Sequence, residues 1–192
     1  MTTFGSLHSF TKLNRDVIDL WARILARVPR SELLMAVVPS GETGTRVCEQ
    51  FAAHGIAAAR LHLIGKLNYD DFLMLHHRID IALDAFPCPG ATTTCESLWM
   101  GVPVVTLAGK YGVARAGASL LQGAGLPELI AQSPGQYIDI ATDLARDPHR
   151  LAQLRGSLRA RMQHSPLMDE GAFTRAFEAL LDGAYQAASA NK

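Results

Sequence analysis

The sequence contains no run of about 18 apolar residues, so nothing in it predicts a membrane span. It carries no excess of either charge. Lys+Arg and Asp+Glu both total 18, the formal net charge is zero and the pI is near 7.1. That balance removes the basic footprint of a duplex-binding protein, so no nucleic-acid partner is expected. Aromatics are scarce at 7%, while Ala and Leu dominate, which favours a helix-rich or α/β interior over an all-β one. The opening Met1-Thr2-Thr3-Phe4-Gly5 has neither a basic n-region nor an apolar h-region, so no secretory signal is expected. Cysteines number three, Cys48, Cys88 and Cys95, at spacings of 40 and 7. This is neither a disulfide framework nor a zinc pattern, and the expectation is small buried thiols.

What is present is a foldable core. Hydrophobic residues make up 48% and charged residues 19%, which excludes intrinsic disorder. At about 150 residues per domain, 192 residues form one domain that buries roughly 70% of its unfolded surface. The expectation is a single soluble, cytoplasmic unit spanning residues 1–192.

Elements alternate along the first half. Asn14 can cap a helix from Arg15 to Arg27 with Val17, Leu20, Trp21, Ile24 and Val28 on one stripe, stopped by Pro29. Leu33–Val38 reads as a strand covered on both faces, Gly44–Ala53 as a helix closed by His54-Gly55, and Leu61–Ile64 as a short strand. Tyr69–His77 reads as a helix, Ile79–Leu83 as a strand, Thr93–Met100 as a helix, and Val104–Leu107 as a strand. Strands separated by helices of about ten residues require parallel pairing, because parallel neighbours need a crossover. The fold class is therefore α/β, with a Rossmann-like doubly wound parallel sheet.

From Val113 onward the strand signal nearly vanishes. Val113–Gln122, Gly135–Arg146, His149–Gln163 and Gly171–Ala187 read as helices, with one short strand near Leu129–Ala131. This predicts extra C-terminal helices, an extension over about 133–188. Only the last four residues or so read as a loose tail. The final helix places Phe173, Phe177, Leu180, Leu181 and Tyr185 near one face, which needs a partner surface: the same sheet or another domain. Arg155, Arg159 and Arg161 read as a solvated helix face.

The chemistry-bearing stretch runs from Asp84 to Val105. A strand ends at Asp84, and a Pro/Gly-rich loop through Gly90 crosses the carboxyl edge of the sheet, where doubly wound folds bind ligands. Thr92, Thr93 and Thr94 then open a helix, and free N–H groups beside hydroxyls suit a phosphate. Glu96, read as lying in the first turn, could accept two hydrogen bonds from the vicinal diol of a ribose. Equally, Thr92 or Thr93 could cap the helix and Glu96 close a capping box with Thr93. Adjacent His76 and His77 point to different helix faces and do not make a metal chelate. Gly41-x-x-Gly44 lacks the third glycine of a dinucleotide loop and reads as a turn.

The whole string resembles the donor-binding motif of the O-GlcNAc transferase/SPINDLY family of glycosyltransferases, which have the GT-B fold. Phe4-Gly5-Ser6, Lys12-Leu13-Asn14, Leu20–Leu25, Tyr69–Asp84, Val104–Gly109, Arg115–Leu121, Gly125–Ala131 and Ser165–Leu167 are similar to that family as well, so the resemblance covers about residues 4–185. It implies the C-terminal, donor-binding half of a GT-B enzyme that moves GlcNAc or a related sugar from a nucleoside diphosphate to Ser/Thr of an acceptor protein. UDP-GlcNAc is the implied donor, and no metal or other cofactor is expected. Lys12 is implied as the catalytic cation at the pyrophosphate. His8, Gly90, Thr92, Thr93 and Thr94 are implied as donor contacts, and Glu96 as the ribose grip. Ala91 stands where animal relatives carry histidine. Phe72 and Leu75 stand where some relatives place basic or imidazole groups in the base-contacting segment Leu67–Leu75, so uracil and guanine both remain open. The implied partners are a first GT-B lobe and tetratricopeptide repeats N-terminal to these residues. The alternatives are a non-catalytic nucleotide-sugar-binding module, a SPINDLY-like O-fucosyltransferase lobe using GDP-fucose, and an epimerase-like fold.

Overall fold

In the computed structural model, which describes residues 1–190, the strands are β1 (Thr2–Ser6), β2 (Ser31–Met35), β3 (Leu61–Leu63), β4 (Ile81–Leu83), β5 (Val104–Leu107) and β6 (Ile130–Ala131). They form one six-stranded sheet in the order β3-β2-β1-β4-β5-β6, and every pairing is parallel. This is the doubly wound order. Strand β1 was not legible in the hydropathy pattern, because Thr2-Thr3-Phe4-Gly5-Ser6 has a single large apolar residue. Its small residues suit a central strand. A Cβ on Gly5 would lie 2.4 Å from Ile79, so glycine there lets the chain before β4 pack close.

Helix α1 (Arg15–Arg27) spans the residues its pattern predicts, and Asn14 caps it by accepting from the Val17 N–H. Its buried stripe includes Val17, Leu20, Trp21 and Ile24. The apolar run Leu33–Val38 is not all strand. Pairing stops at Met35, and Val37 takes φ 58°, a left-handed conformation costly for a β-branched residue, which turns the chain out of the sheet. Helix α2 (Glu42–Ala52) starts two residues before the expected Gly44. Helix α3 (Tyr69–Met74) is shorter than expected, tightening into a 3-10 turn at Leu75–Arg78 before β4. Helix α4 (Thr92–Trp99) joins β4 to β5. A 3-10 turn at Val113–Arg115 precedes α5 (Ala116–Gly123). Helices α6 (Pro134–Arg146) and α7 (Pro148–Gln163) each begin on a proline, whose missing N–H is no loss in a first turn. Helix α1 packs against α2 and α6, while α4 packs against α5 and α7. Right-handed crossovers running outward in both directions from the β1/β4 pair place α1 and α2 on one face and α4 and α5 on the other, with α6 and α7 following the last strand.

Two expectations about the C-terminal region are sharpened. Arg159 and Arg161 are exposed and Arg155 is half-buried, and all three donate to backbone carbonyls. Arg155 donates to the Ile79 and Asp80 carbonyls, Arg159 donates to the Trp99 carbonyl and sits 5.4 Å from the Trp99 ring centre, and Arg161 donates to the Gly125 carbonyl. They tie α7 to loop ends whose carbonyls lack helical or ladder partners. Helix α8 (Glu170–Ala190) does not lie on the sheet. Phe173, Phe177, Leu180, Leu181 and Tyr185 are all exposed, and Phe173 stacks only on Phe177. The helix also takes in residues 189 and 190 of the expected tail, while 191–192 lie outside the described residues. No described helix is long and apolar enough to cross a membrane.

Candidate functional site

The sheet reverses its winding between β1 and β4, which are neighbours. Crevices at such a reversal, on the carboxyl edge, are where doubly wound sheets hold ligands. The chain leaving β1 reaches His8 and Lys12 there, and the chain leaving β4 reaches Asp84 and the loop to α4. Every residue named from the sequence as a donor contact falls on these two segments or on α4.

Asp84 organises the crevice. Its side chain is fully buried, and a buried carboxylate is tolerable only when its oxygens are matched. Oδ1 accepts from the Gly90 N–H at 2.7 Å and faces His8 Nε2 at 3.0 Å, and Oδ2 accepts from the Thr106 hydroxyl at 2.7 Å. The Asp84 carbonyl accepts from the Tyr137 hydroxyl at 2.8 Å, and that hydroxyl accepts from Trp21 Nε1 at 3.1 Å. Burial pushes the Tyr137 phenol well above its ordinary range, so it stays a donor. Gly117 completes the pocket, since a Cβ there would come within 2.4 Å of Asp84 Oδ2.

The loop itself is held from the β1 side. Lys12 Nζ donates to the Pro89 carbonyl at 2.7 Å, and Asn14 Nδ2 donates to the Phe86 carbonyl at 2.7 Å. Asn14 thus caps α1 with its oxygen and clamps the loop with its nitrogen. Gly90 is needed as a glycine. A Cβ would meet His8 Cε1 at 2.5 Å, Thr94 Oγ1 at 2.5 Å and Thr93 Oγ1 at 2.7 Å. These distances also bring His8, Gly90, Thr93 and Thr94 into one cluster.

Helix α4 begins without a side-chain cap. Its N-cap is Ala91, and the first backbone bond closes from Cys95 N–H to the Ala91 carbonyl. The N–H groups of the threonine turn are therefore left without an intrahelical partner. Thr92 is exposed, Thr93 bonds His8 Nδ1 through its hydroxyl at 2.9 Å, and the buried Thr94 hydroxyl has no hydrogen-bond partner. The uncapped helix start, the buried unpartnered Thr94 hydroxyl and the Lys12 ammonium on the Pro89 carbonyl lie along this one loop–helix junction.

The capping-box reading of Thr93 and Glu96 is overturned. Because α4 starts at Thr92 and not Thr93, Glu96 lies past the first turn, and its Oε1 accepts from the Tyr69 hydroxyl at 2.9 Å. That bond, with the carboxylate charge, raises the Tyr69 phenol. Glu96 borders a cleft of about 420 Å³ shared with Tyr69, Leu73, Cys95, Trp99, Met100, Met162 and Met168. In the segment expected to meet a base, Leu75 is core and Phe72 packs edge-on against His76. His76 is buried between the Leu73 carbonyl and Ser97, and burial holds it below the usual histidine range. The thiol expectation holds only in part. Cys48 and Cys95 are half-buried, Cys88 in the loop is exposed, and burial followed by the Glu96 charge raises Cys95. Among the described residues, no group of three or more His, Cys, Asp or Glu side chains is placed to hold a metal ion.

Sequence reasoning missed Asp84, Tyr137 and the second role of Asn14. A carboxylate closing the apolar run Ile79–Leu83 was the available signal, because a buried charge demands partners.

Comparison with known proteins identifies the family. The model of glycosyl transferase family 41 matches residues 2–177. The chain is 40% identical over 179 residues to the probable UDP-N-acetylglucosamine–peptide N-acetylglucosaminyltransferase SPINDLY of Oryza sativa subsp. japonica, covering 92% of this chain and 19% of that protein. It superposes with TM-score 0.87 and 40% identity on a mutant O-GlcNAc transferase from Thermobaculum terrenum, covering 96% of this chain and 35% of that one. Anabaena HepE, solved with UDP and glucose, matches with TM-score 0.65 at 15% identity over 94% of this chain and 48% of its own, which shows the shared fold alone. The chain thus spans under a fifth of the rice relative's length.

Proposed function

The chain belongs to glycosyl transferase family 41, and on that premise we propose that it is the donor-binding lobe of a protein O-glycosyltransferase. It binds UDP-GlcNAc or a closely related nucleotide sugar, and a second lobe presents a Ser/Thr hydroxyl of an acceptor protein across the crevice. The observation that carries this reading is the cluster at the start of α4, where uncapped N–H groups, the free Thr94 hydroxyl and Lys12 converge on one crevice. The solved UDP complex of HepE and the name of the SPINDLY relative support the choice of donor class.

The chemistry follows from charge. As the sugar departs, negative charge grows on the diphosphate, and preorganised donors aimed at that charge lower the barrier. Lys12 supplies a full positive charge and the α4 turn supplies partial ones. Glu96 takes the ribose diol, exchanging its bond to Tyr69 for two from the ligand. The acceptor hydroxyl is positioned from across the crevice by the facing lobe.

Calorimetric titration with UDP, UDP-GlcNAc, GDP and GDP-fucose tests the reading. A uridine ligand is expected to bind in the micromolar-to-millimolar range, with UDP close to UDP-GlcNAc because the pyrophosphate dominates. Binding of none at millimolar concentration overturns the site, and preference for guanosine ligands replaces the donor.

A further inference from the structure

His8 sits between a carboxylate and a hydroxyl; the direction of the first hydrogen bond is set by chemistry, and that of the second by the protonation of Nδ1. Asp84 Oδ1 accepts only, so His8 Nε2 carries the proton that bridges the 3.0 Å to it. In a neutral imidazole Nδ1 is then an acceptor, and the Thr93 hydroxyl must spend its single proton on it across 2.9 Å. So arranged, Thr93 can show only lone pairs to a phosphate oxygen, which repel it. When Nδ1 gains a proton, the bond reverses. Nδ1–H donates to Thr93 Oγ1, and the hydroxyl proton swings into the crevice as a donor. The fully buried Asp84 carboxylate is the counter-charge that makes an imidazolium tolerable there.

We propose that His8, fixed by Asp84, is a positioning residue that takes up one proton as the donor diphosphate binds and thereby turns the Thr93 hydroxyl toward the phosphates. The inference rests on the donor-site reading above. The proton comes from solvent and forms only the Nδ1–H bond, while the Thr93 proton changes partner without leaving its oxygen. Other charged or titratable groups border this point. Asp84 is matched by Gly90 and Thr106, Lys12 is held on the Pro89 carbonyl, Tyr137 donates to the Asp84 carbonyl, and Glu96 on α4 is engaged by Tyr69. Of these types only histidine ordinarily changes charge between pH 5 and 8.

The test uses UDP-GlcNAc, whose diphosphate diester has no proton to exchange near neutrality. Titration calorimetry of the whole chain at pH 7.5 in two buffers of different ionisation enthalpy counts protons taken up on binding. The wild type is expected to take up about one, with affinity falling as pH rises. His8→Gln and Thr93→Val are each expected to bind with no uptake, and Thr93→Ser to restore it. A hydroxyl or imidazole that merely packed would leave the proton count unchanged. Saturable binding by the wild type with no proton exchanged overturns the proposal, as does full uptake by His8→Gln. Failure of UDP-GlcNAc to bind at all removes the donor-site reading, and this inference falls with it.

Discussion

Tyr137 donates its hydroxyl to the carbonyl oxygen of Asp84 at 2.8 Å, so a helix late in the chain fixes the backbone from which the candidate donor loop springs. Trp21 on α1 completes the line by donating to the same hydroxyl at 3.1 Å. Three elements distant in sequence therefore set the position of a carboxylate that in turn positions His8 and Gly90. The site depends on the packed core behind it.

That dependence is measurable. Tyr137→Phe removes a buried donor and leaves the Asp84 carbonyl and Trp21 Nε1 short of a partner. A stability loss of about 1–3 kcal/mol is expected in denaturant unfolding. Donor affinity should fall as well, because the loop loses its anchor. A variant with wild-type stability and affinity would show that the hydroxyl contributes nothing.

Gly90→Ala should damage the site directly. Its Cβ would intrude within 2.5 Å of both His8 Cε1 and Thr94 Oγ1. Overpacking of this kind costs about 1–3 kcal/mol, and here it also pushes the phosphate-facing groups apart. The expected readout is loss of measurable UDP-GlcNAc binding in a chain that still folds, checked by circular dichroism alongside calorimetry.

Much of this fold was legible because local and tertiary signals agreed. Asn14 with its apolar stripe delimits α1, and Val104–Leu107 is strand in both pattern and structure. The failures have physical causes. Strand β1 escaped notice because a central strand flanked on both sides can be built from Thr, Gly and Ser, whose burial arises from neighbours and not from their own hydrophobicity. Helix α4 starts one residue early, which moves Glu96 out of capping range. The residues of the candidate site around Gly90 and Thr92–Thr94 were readable as a motif. The Asp84 network was not, since its partners lie as far apart in sequence as His8 and Thr106, and only the fold brings them together.

Glu96 and Tyr69 offer opposite tests of the ribose grip. Glu96→Gln removes charge while keeping shape, and donor affinity is expected to weaken by about 1.5–3 kcal/mol with less than about 1 kcal/mol lost in stability. Tyr69→Phe frees the carboxylate from its 2.9 Å bond and should leave affinity equal or higher. Weaker binding by Tyr69→Phe with an unaffected Glu96→Gln would assign the contact to the tyrosine instead.

Acid should loosen the contact between α4 and the 3-10 turn Leu75–Arg78 through His76. Burial lowers its titration below the ordinary histidine value of 6.5, so the folded state holds it neutral where the unfolded chain is already protonated. The unfolded state then binds more protons, and stability falls as pH drops from about 6.5 toward the folded-state value. Above that window the term is constant. His76→Gln should flatten this part of the stability–pH curve, and an unchanged slope would assign the acid sensitivity elsewhere.

Lys12 carries the last and most demanding prediction. Its ammonium is held on the Pro89 carbonyl at the edge of the threonine turn, within reach of the crevice where a diphosphate would sit. If it meets charge that grows as the sugar leaves, its contribution is larger in the transition state than in the bound donor. Lys12→Ala, made in an enzyme that joins these residues to a matching first lobe, should therefore lower kcat by about 10²–10³-fold, the scale of one charge-stabilising donor. Donor affinity should fall far less. On the donor-lobe reading, the isolated chain should transfer no sugar to peptide above background while still binding donor. Weaker donor binding with kcat unchanged would make Lys12 a simple ground-state contact. Robust transfer by the isolated chain would place acceptor-activating groups within these residues and remove the need for a facing lobe.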